Sequence, residues 1–428
     1  MTFLLGFVHT LLFWCLSPFT QLFSRIRGGF WERHGFYRDA PKQAPQQGTK
    51  LWLHGASAGD VLALVPTARD LKNASPTCEI YLTTITDSGH SMGLHFQKRG
   101  LFESVHFAPW DYPGAVRRFI NHRTPSALIL EYTELWPFYI NVSKKCGLHV
   151  FMHNARFSPN HPRKYRWLFT LYGNLLHAMT AILLRDDAER DRALELNAVP
   201  KSLQVTGNTK LDHSLDENPS VQVETLREVL CIEEHDVVWV CGSTHDGEES
   251  LLISAFQELS HAFPNLKLVL APRYAERGQR LVELCESHQL PVSLRSQLVN
   301  PDHRVVILDS VGELRACYHL ADIVFVGGSF NQRGGHNIIE PAVTGVPVLF
   351  GPNMWNAIDS VQLLLGTGGI QVETSERLFQ AITDLLQNDS LRHELGQRAR
   401  ERVIKASGAA ARNTSVILGF LNEPDMRA

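Results

Sequence analysis

Residues 327–352 read GGSFNQRGGHNIIEPAVTGVPVLFGP, and the organisation of the whole chain follows from this stretch. An apolar run, Ile-Val-Phe-Val at 323–326, leads into it as a buried strand. The glycines then predict a turn, a helix opening near His336 and a second strand over 346–350. A glycine-rich loop entering a helix presents backbone N–H groups and a positive dipole end, which suits a phosphate or carboxylate. Glu340, one turn on and followed by Pro341, brings a carboxylate within reach of a sugar hydroxyl. The pattern suits a nucleotide sugar. It lies late in the chain, whereas a dinucleotide fold carries its fingerprint near the N-terminus. A two-domain protein whose second half binds the donor is therefore expected.

Working outward, strands are predicted at 237–241, 266–271, 305–308 and 323–326, with helices at 248–262 and 276–288 between them. The first half shows the same alternation. Strands at 51–54, 79–84, 104–107, 127–131 and 149–152 alternate with helical windows at 61–73, 112–123 and 135–146. Steady alternation of this kind predicts parallel sheets covered on both faces, in two α/β halves that meet at a cleft. The polar stretch 41–48 (PKQAPQQG) reads as a linker, and there is no internal repeat.

Composition agrees. A chain of 428 residues has room for two or three cores, and 44% hydrophobic with 20% charged residues is ordinary for a globular protein. A net charge of −3 gives no reason to expect nucleic acid. Seven scattered cysteines without CxxC spacing point to reduced thiols and to no metal site. Residues 3–23 (FLLGFVHTLLFWCLSPFTQLF) are apolar but interrupted. They are followed by Arg25, Arg27, Arg33 and Arg38, which fits a membrane anchor or interfacial helix with the remainder on the cytoplasmic side. A buried first helix is the alternative.

The chemistry-bearing residues fall on the turns after the strands. Asp60 closes Gly-Ala-Ser-Ala-Gly-Asp at a helix start, where the dipole holds a carboxylate charged and able to take a proton from a hydroxyl; it equally suits a helix cap. Glu131 and Glu134 (EYTELWP) bring two acids to the same rim, or to a solvated loop. In the second half, Ser243 and Thr244 precede a helix and suit a phosphate or a plain N-cap. Arg273 ends a strand with a guanidinium that can fork onto phosphate. A lone His336 reads as structural.

The chain resembles the 3-deoxy-D-manno-octulosonic acid (Kdo) transferases of lipopolysaccharide biosynthesis. The likeness runs from FWERHGF at 30–36 almost to the end, through HGASAGD, WDYPGAVRRFI, TELWP, NARFS, VTGNTKLD, GSTHDGEE, APR and RGGHNIIEPAVTGVPVLFGP. It implies a GT-B fold, with two Rossmann-like domains facing across a cleft and an N-terminal apolar, membrane-associated helix. The implied segments are 1–27 for that helix, 28–210 for the acceptor domain and 211–405 for the donor domain. A C-terminal helix over 406–428 would pack back on the first domain. The implied reaction is an inverting, metal-independent transfer with no cofactor, from CMP-Kdo to a lipid A precursor at the cytoplasmic face of the inner membrane. By motif, the donor would be held by Ser243, Thr244, Arg273, Gly312, Glu313, Gly335, Asn337 and Glu340. Asp60 would be the base, with Glu131, Glu134 and Arg156 on the acceptor side. Two departures stand out. The family has glutamate where this chain has Asp60, and its Glu-Thr-Glu-Leu-Trp-Pro-Asn block is here Tyr132 to Phe138. A paralogue acting on another acceptor or ulosonic acid, and a weakly active CMP-sugar-binding member, are the alternatives.

Overall fold

A computed structural model describes residues 2–22, 26, 28–38, 48–158, 162–216, 220–297 and 300–422. Most of the linker stretch, together with Arg25 and Arg27, lies outside the described residues. The chain divides into two compact units, one formed by Met1–His213 with Ser407–Ala428 and the other by Ser214–Ala406.

The first unit is built on β1 (Lys50–His54), β2 (Glu79–Thr84), β3 (Ser104–Phe107), β4 (Ala127–Glu131), β5 (His149–Ala155), β6 (Ala181–Leu184) and β7 (Leu203–Val205). They lie in the order β3-β2-β1-β4-β5-β6-β7, with parallel pairing throughout. Every residue of β1 and β4 is buried, as helices on both faces require. The strand order reverses between β1 and β4, so the turns leaving these two strands diverge and open a crevice at their C-terminal ends.

The second unit repeats the scheme with β8 (Val237–Thr244), β9 (Leu266–Pro272), β10 (Val292–Leu294), β11 (Val305–Ile307), β12 (Ile323–Val326), β13 (Val348–Phe350) and β14 (Gly369–Gln371). The order is β10-β11-β9-β8-β12-β13-β14, again parallel, and it reverses between β8 and β12. At that reversal a Cβ on Gly327 would meet Ser243 O and Thr244 Cα at 2.6 Å, so only glycine lets the two strand ends approach.

The last helix, Ala409–Asn422, belongs to the first unit. Ile417 is fully buried in the cluster formed by Leu53, Val61, Leu64 and Phe151. The Asp212 carboxylate accepts from the amides of Gly408 and Ala410 and so holds the start of that helix.

The apolar N-terminus forms a helix over Thr2–Leu16. At 15 residues it is about 22 Å long, against a hydrocarbon core of about 30 Å. Among the described residues no helix is long and apolar enough to cross a membrane. One face is docked on the first unit, where His9 bonds Tyr172 Oη at 2.6 Å and Asp111 O at 3.0 Å. Trp14 stacks on His34, and Phe13 on Trp110. The other face leaves Leu4, Phe7 and Leu11 more than half exposed. Arg33 departs from its expected place among the cations flanking this segment. It is buried, donates to Gly28 O and Ile85 O, and lies over Phe107 and Trp110. Loss of hydration there pulls it down to about 10.

Candidate functional site

In the first unit the sequence Ser57-Ala-Gly-Asp60 makes a capping box at the start of the helix Ala58–Ala74. The amide and hydroxyl of Ser57 both donate to Asp60 Oδ2 at 2.8 Å. Capping and proton acceptance are thus compatible in one residue, because Oδ1 stays clear of both bonds.

Glu134 follows β4 on the neighbouring turn and is half-buried. Its carboxyl is pushed up to about 7, chiefly by burial, with the charges of Asp60 and Glu131 adding to the shift and the Trp136 N–H opposing it. The turn therefore brings Glu134 within electrostatic reach of Asp60. Glu134 also lines a cavity of about 580 Å3 walled by Leu135, Trp136 and Trp167, with the exposed cations Arg163 and Lys164 at its edge. Arg156 is exposed, and its backbone is hydrogen-bonded to the Thr133 hydroxyl.

The folded-state pKa of Glu134 lies above its ordinary 4.5, so the native chain holds a proton that the unfolded chain has lost between pH 4.5 and 7. Stability contributed by the protonated form is present below pH 4.5 and declines as pH rises through 7. Glu134→Gln is therefore expected to match the native melting temperature at pH 4 and to exceed it at pH 8, as read by thermal denaturation.

Glu131 differs from its neighbours on this rim because it has no exposed surface. Its carboxylate bonds His153 Nδ1 and accepts from Asn154 Nδ2 at 2.8 Å, so both oxygens face the interior. Tyr132 takes a left-handed backbone, φ 51°, with the Lys210 ammonium 5.0 Å from its ring centroid. Phe138 is not at this rim. It is buried beneath the N-terminal helix, edge-on to His9 at 5.0 Å, and lines a separate cavity of about 480 Å3.

In the second unit the helix expected near His336 is only Ile339–Ala342, four residues long. Pro341 within it and Gly345 just beyond shorten it, and so short a helix has little dipole to offer an anion. The loop before it is shaped by Gly334 and Gly335 at φ 88° and 73°; a Cβ there would strike Trp355 and Met354 at 2.4 and 2.1 Å. Asn337 Nδ2 donates to Glu340 Oε1 at 3.0 Å and Asn337 Oδ1 accepts from the Ile339 amide, which fixes the carboxylate beside the loop.

The remaining donor-side residues are unequal in their freedom. Ser243 is half-exposed in a left-handed conformation, φ 55°. Thr244 is fully buried and its hydroxyl donates to Glu249. Arg273 is exposed. Gly312 is open, while Glu313 is held by Arg295 at 2.8 Å and by Ser310.

Glu248 is absent from the residues singled out in the sequence. It is buried, and it accepts from the amides of His245, Gly328, Ser329 and Phe330 at 2.8–3.0 Å. It thereby bolts the turn after β8 to the loop after β12. The spacing of His245 and Glu248 at a strand-to-helix turn was the available signal. Among the described residues no group of three His, Cys, Asp or Glu is placed to hold a metal.

Two all-parallel units in one chain, each with its polar groups at the crevice of its sheet, define a GT-B-like protein. The same fold is found in the UDP-GlcNAc 2-epimerase of Neisseria meningitidis, with a TM-score of 0.60 at 12% identity over 88% of this chain and all of that one. Residues 28–213 match the 3-deoxy-D-manno-octulosonic-acid transferase (kdotransferase) family. The chain is 30% identical over 403 residues to the 3-deoxy-D-manno-octulosonic acid transferase of Haemophilus influenzae, covering 93% of this chain and 92% of that one. It is 27% identical over 437 residues to that of Bordetella pertussis, covering 97% and 99%. The chain belongs to the Kdo transferase family, glycosyltransferases of lipopolysaccharide biosynthesis.

Proposed function

We propose that this protein transfers Kdo from CMP-Kdo to a lipid A precursor, with inversion and without a metal, at the cytoplasmic face of the inner membrane. The observation that carries the reading is the cavity that Glu134 lines on the turn after β4, with apolar walls and two cations. A phosphorylated glycolipid presents the matching chemistry, apolar chains with anionic groups. The exposed apolar row of the N-terminal helix supports a seat on the membrane surface.

In this mechanism an acceptor hydroxyl attacks the anomeric carbon as its proton passes to Asp60. The bond from that carbon to the phosphate oxygen breaks, and the electron pair leaves with CMP. Arg273 and the Ser243 hydroxyl stabilise the charge that grows on the departing phosphate. Glu340 receives the ribose hydroxyls, held in place by Asn337.

The test is incubation of the full chain with CMP-Kdo and a lipid A precursor, following lipid mass and CMP release. A lipid heavier by one or more Kdo units supports the reading. Release of CMP only with another glycolipid favours the paralogue, and CMP binding without turnover the non-catalytic member. Within this scheme Glu340→Ala is expected to weaken CMP binding by about 10- to 100-fold, the effect of one or two hydrogen bonds to a charged group. Calorimetric titration with CMP measures it, and an unchanged affinity would remove Glu340 from the nucleotide site.

A further inference from the structure

His245, at the end of β8, and His336, in the loop after β12, are 91 residues apart and meet end to end through their Nε2 atoms. Their ring centroids are 5.1 Å apart at 12°, with the two Nε2 atoms at 2.8 Å. That distance requires one Nε2 to carry a proton and the other to accept it, so the pair holds at most one shared charge along this bond. Burial is the leading cause that keeps both imidazoles neutral. His336 is held at about 4 by burial and then by His245 and Arg273.

The groups around the pair come from three elements. Glu248 and Glu249, on the helix after β8, favour the charged form of His245, while Arg333 and Arg273 oppose it. Tyr274 stands edge-on to His245 at 5.8 Å. Both acids are already committed. Glu248 takes four amides, and Glu249 takes the Thr244 hydroxyl and both arms of Arg277. Arg273 and Arg333 are exposed, and among the described residues neither guanidinium has an acidic partner. The crevice of the second sheet therefore holds two uncompensated cations beside two imidazoles that their charge helps to keep neutral. An anion arriving there would cancel that repulsion and supply an acceptor for an imidazolium N–H.

We propose that the His245–His336 pair takes up a proton from solvent when an anionic group of the donor nucleotide seats against Arg273 and Arg333, so that donor binding is proton-coupled and CMP release returns the proton. This deepens, and rests on, the assignment of the second unit to the CMP-sugar. The group is a phosphate or the carboxylate of the sugar, two sources with one chemistry.

The experiment is calorimetric titration of the full chain at pH 7 in two buffers of unlike ionisation enthalpy. The probe is the methyl ester of CMP, whose phosphate does not itself titrate near neutrality. A buffer-dependent enthalpy equal to about half to one proton taken up per nucleotide is expected. Affinity should then rise as pH falls from 8 to 6, by at most about tenfold per unit. Uptake with the ester assigns the phosphate. Uptake only with CMP-Kdo, measured against the Asp60→Asn protein to prevent turnover, assigns the carboxylate. His336→Gln and His245→Gln should each bind with a buffer-independent enthalpy, and retention of uptake in both would overturn the assignment to this pair. Tight binding of both probes to the native protein without buffer dependence overturns the inference and leaves the donor reading standing. If neither probe binds, both fall.

Discussion

Asp60→Asn is expected to lower sugar transfer by about 10²- to 10⁴-fold, the range set by loss of a positioned general base. The amide oxygen of asparagine can still accept from the Ser57 amide and hydroxyl, which now bond Asp60 Oδ2. The helix start survives, and the melting temperature should move by no more than a few degrees, as loss of up to about 1 kcal/mol at a cap would do. The disappearance of basicity is thereby separated from the disappearance of a cap. Asp60→Glu supplies the acid that the capping box commonly uses, advances the carboxylate by about 1 Å and should retain or raise activity. Steady-state rates with CMP-Kdo and lipid acceptor, beside thermal melts, check both. A fully active asparagine variant would move the base assignment to Glu134.

Glu131→Ala should act on stability. It strands a buried imidazole and a buried amide, and removal of one partner from an interior charged network costs about 3–5 kcal/mol. The network is extensive. His153 Nε2 bonds the Thr67 hydroxyl at 2.8 Å, Asn154 Nδ2 donates to the Thr209 hydroxyl at 2.6 Å, and that hydroxyl donates to Ala63 O at 2.6 Å. Four segments of the first unit are tied through one carboxylate. Urea unfolding followed by tryptophan fluorescence should show a lower midpoint for the transition of this unit, and Glu131→Gln should lose less because it keeps one acceptor. An unchanged midpoint for the alanine variant would show that the network adds nothing.

Many strands were legible because a short β-favouring stretch, apolar throughout or alternating, is set off by turn or helical signals on either side. Glu79–Thr84, Ser104–Phe107, Ala127–Glu131 and Ile323–Val326 match their expected bounds. The short edge strands Leu203–Val205, Val292–Leu294 and Gly369–Gln371 were not, since each mixes apolar with polar or glycine residues, whereas the equally short inner strands Val305–Ile307 and Val348–Phe350 are wholly apolar. Ala181–Leu184 had the apolar run but no distinctive turn around it. At the site, the sequence located the turns and could not tell which side chains on them stay open. Thr244 and Glu131 look as exposed in the sequence as Ser243 and Glu134, but both are fully buried and hydrogen-bonded, Thr244 to Glu249 and Glu131 to His153 and Asn154. Phe138 is decided by a helix more than a hundred residues away in sequence, and the histidine pair by two loops that meet only once β8 and β12 lie side by side.

The return of the last helix to the first unit has a consequence for how this protein is made. The ribosome completes the first unit's sheet early, but the helix Ala409–Asn422 that seals it emerges only after the whole second unit. At about 5–20 residues per second, the intervening stretch of roughly 190 residues takes about 10–40 s. During that interval the apolar face that Ile417 will cover is open, while the second unit is continuous in sequence and free to fold as it is finished. The unit translated first is therefore completed last.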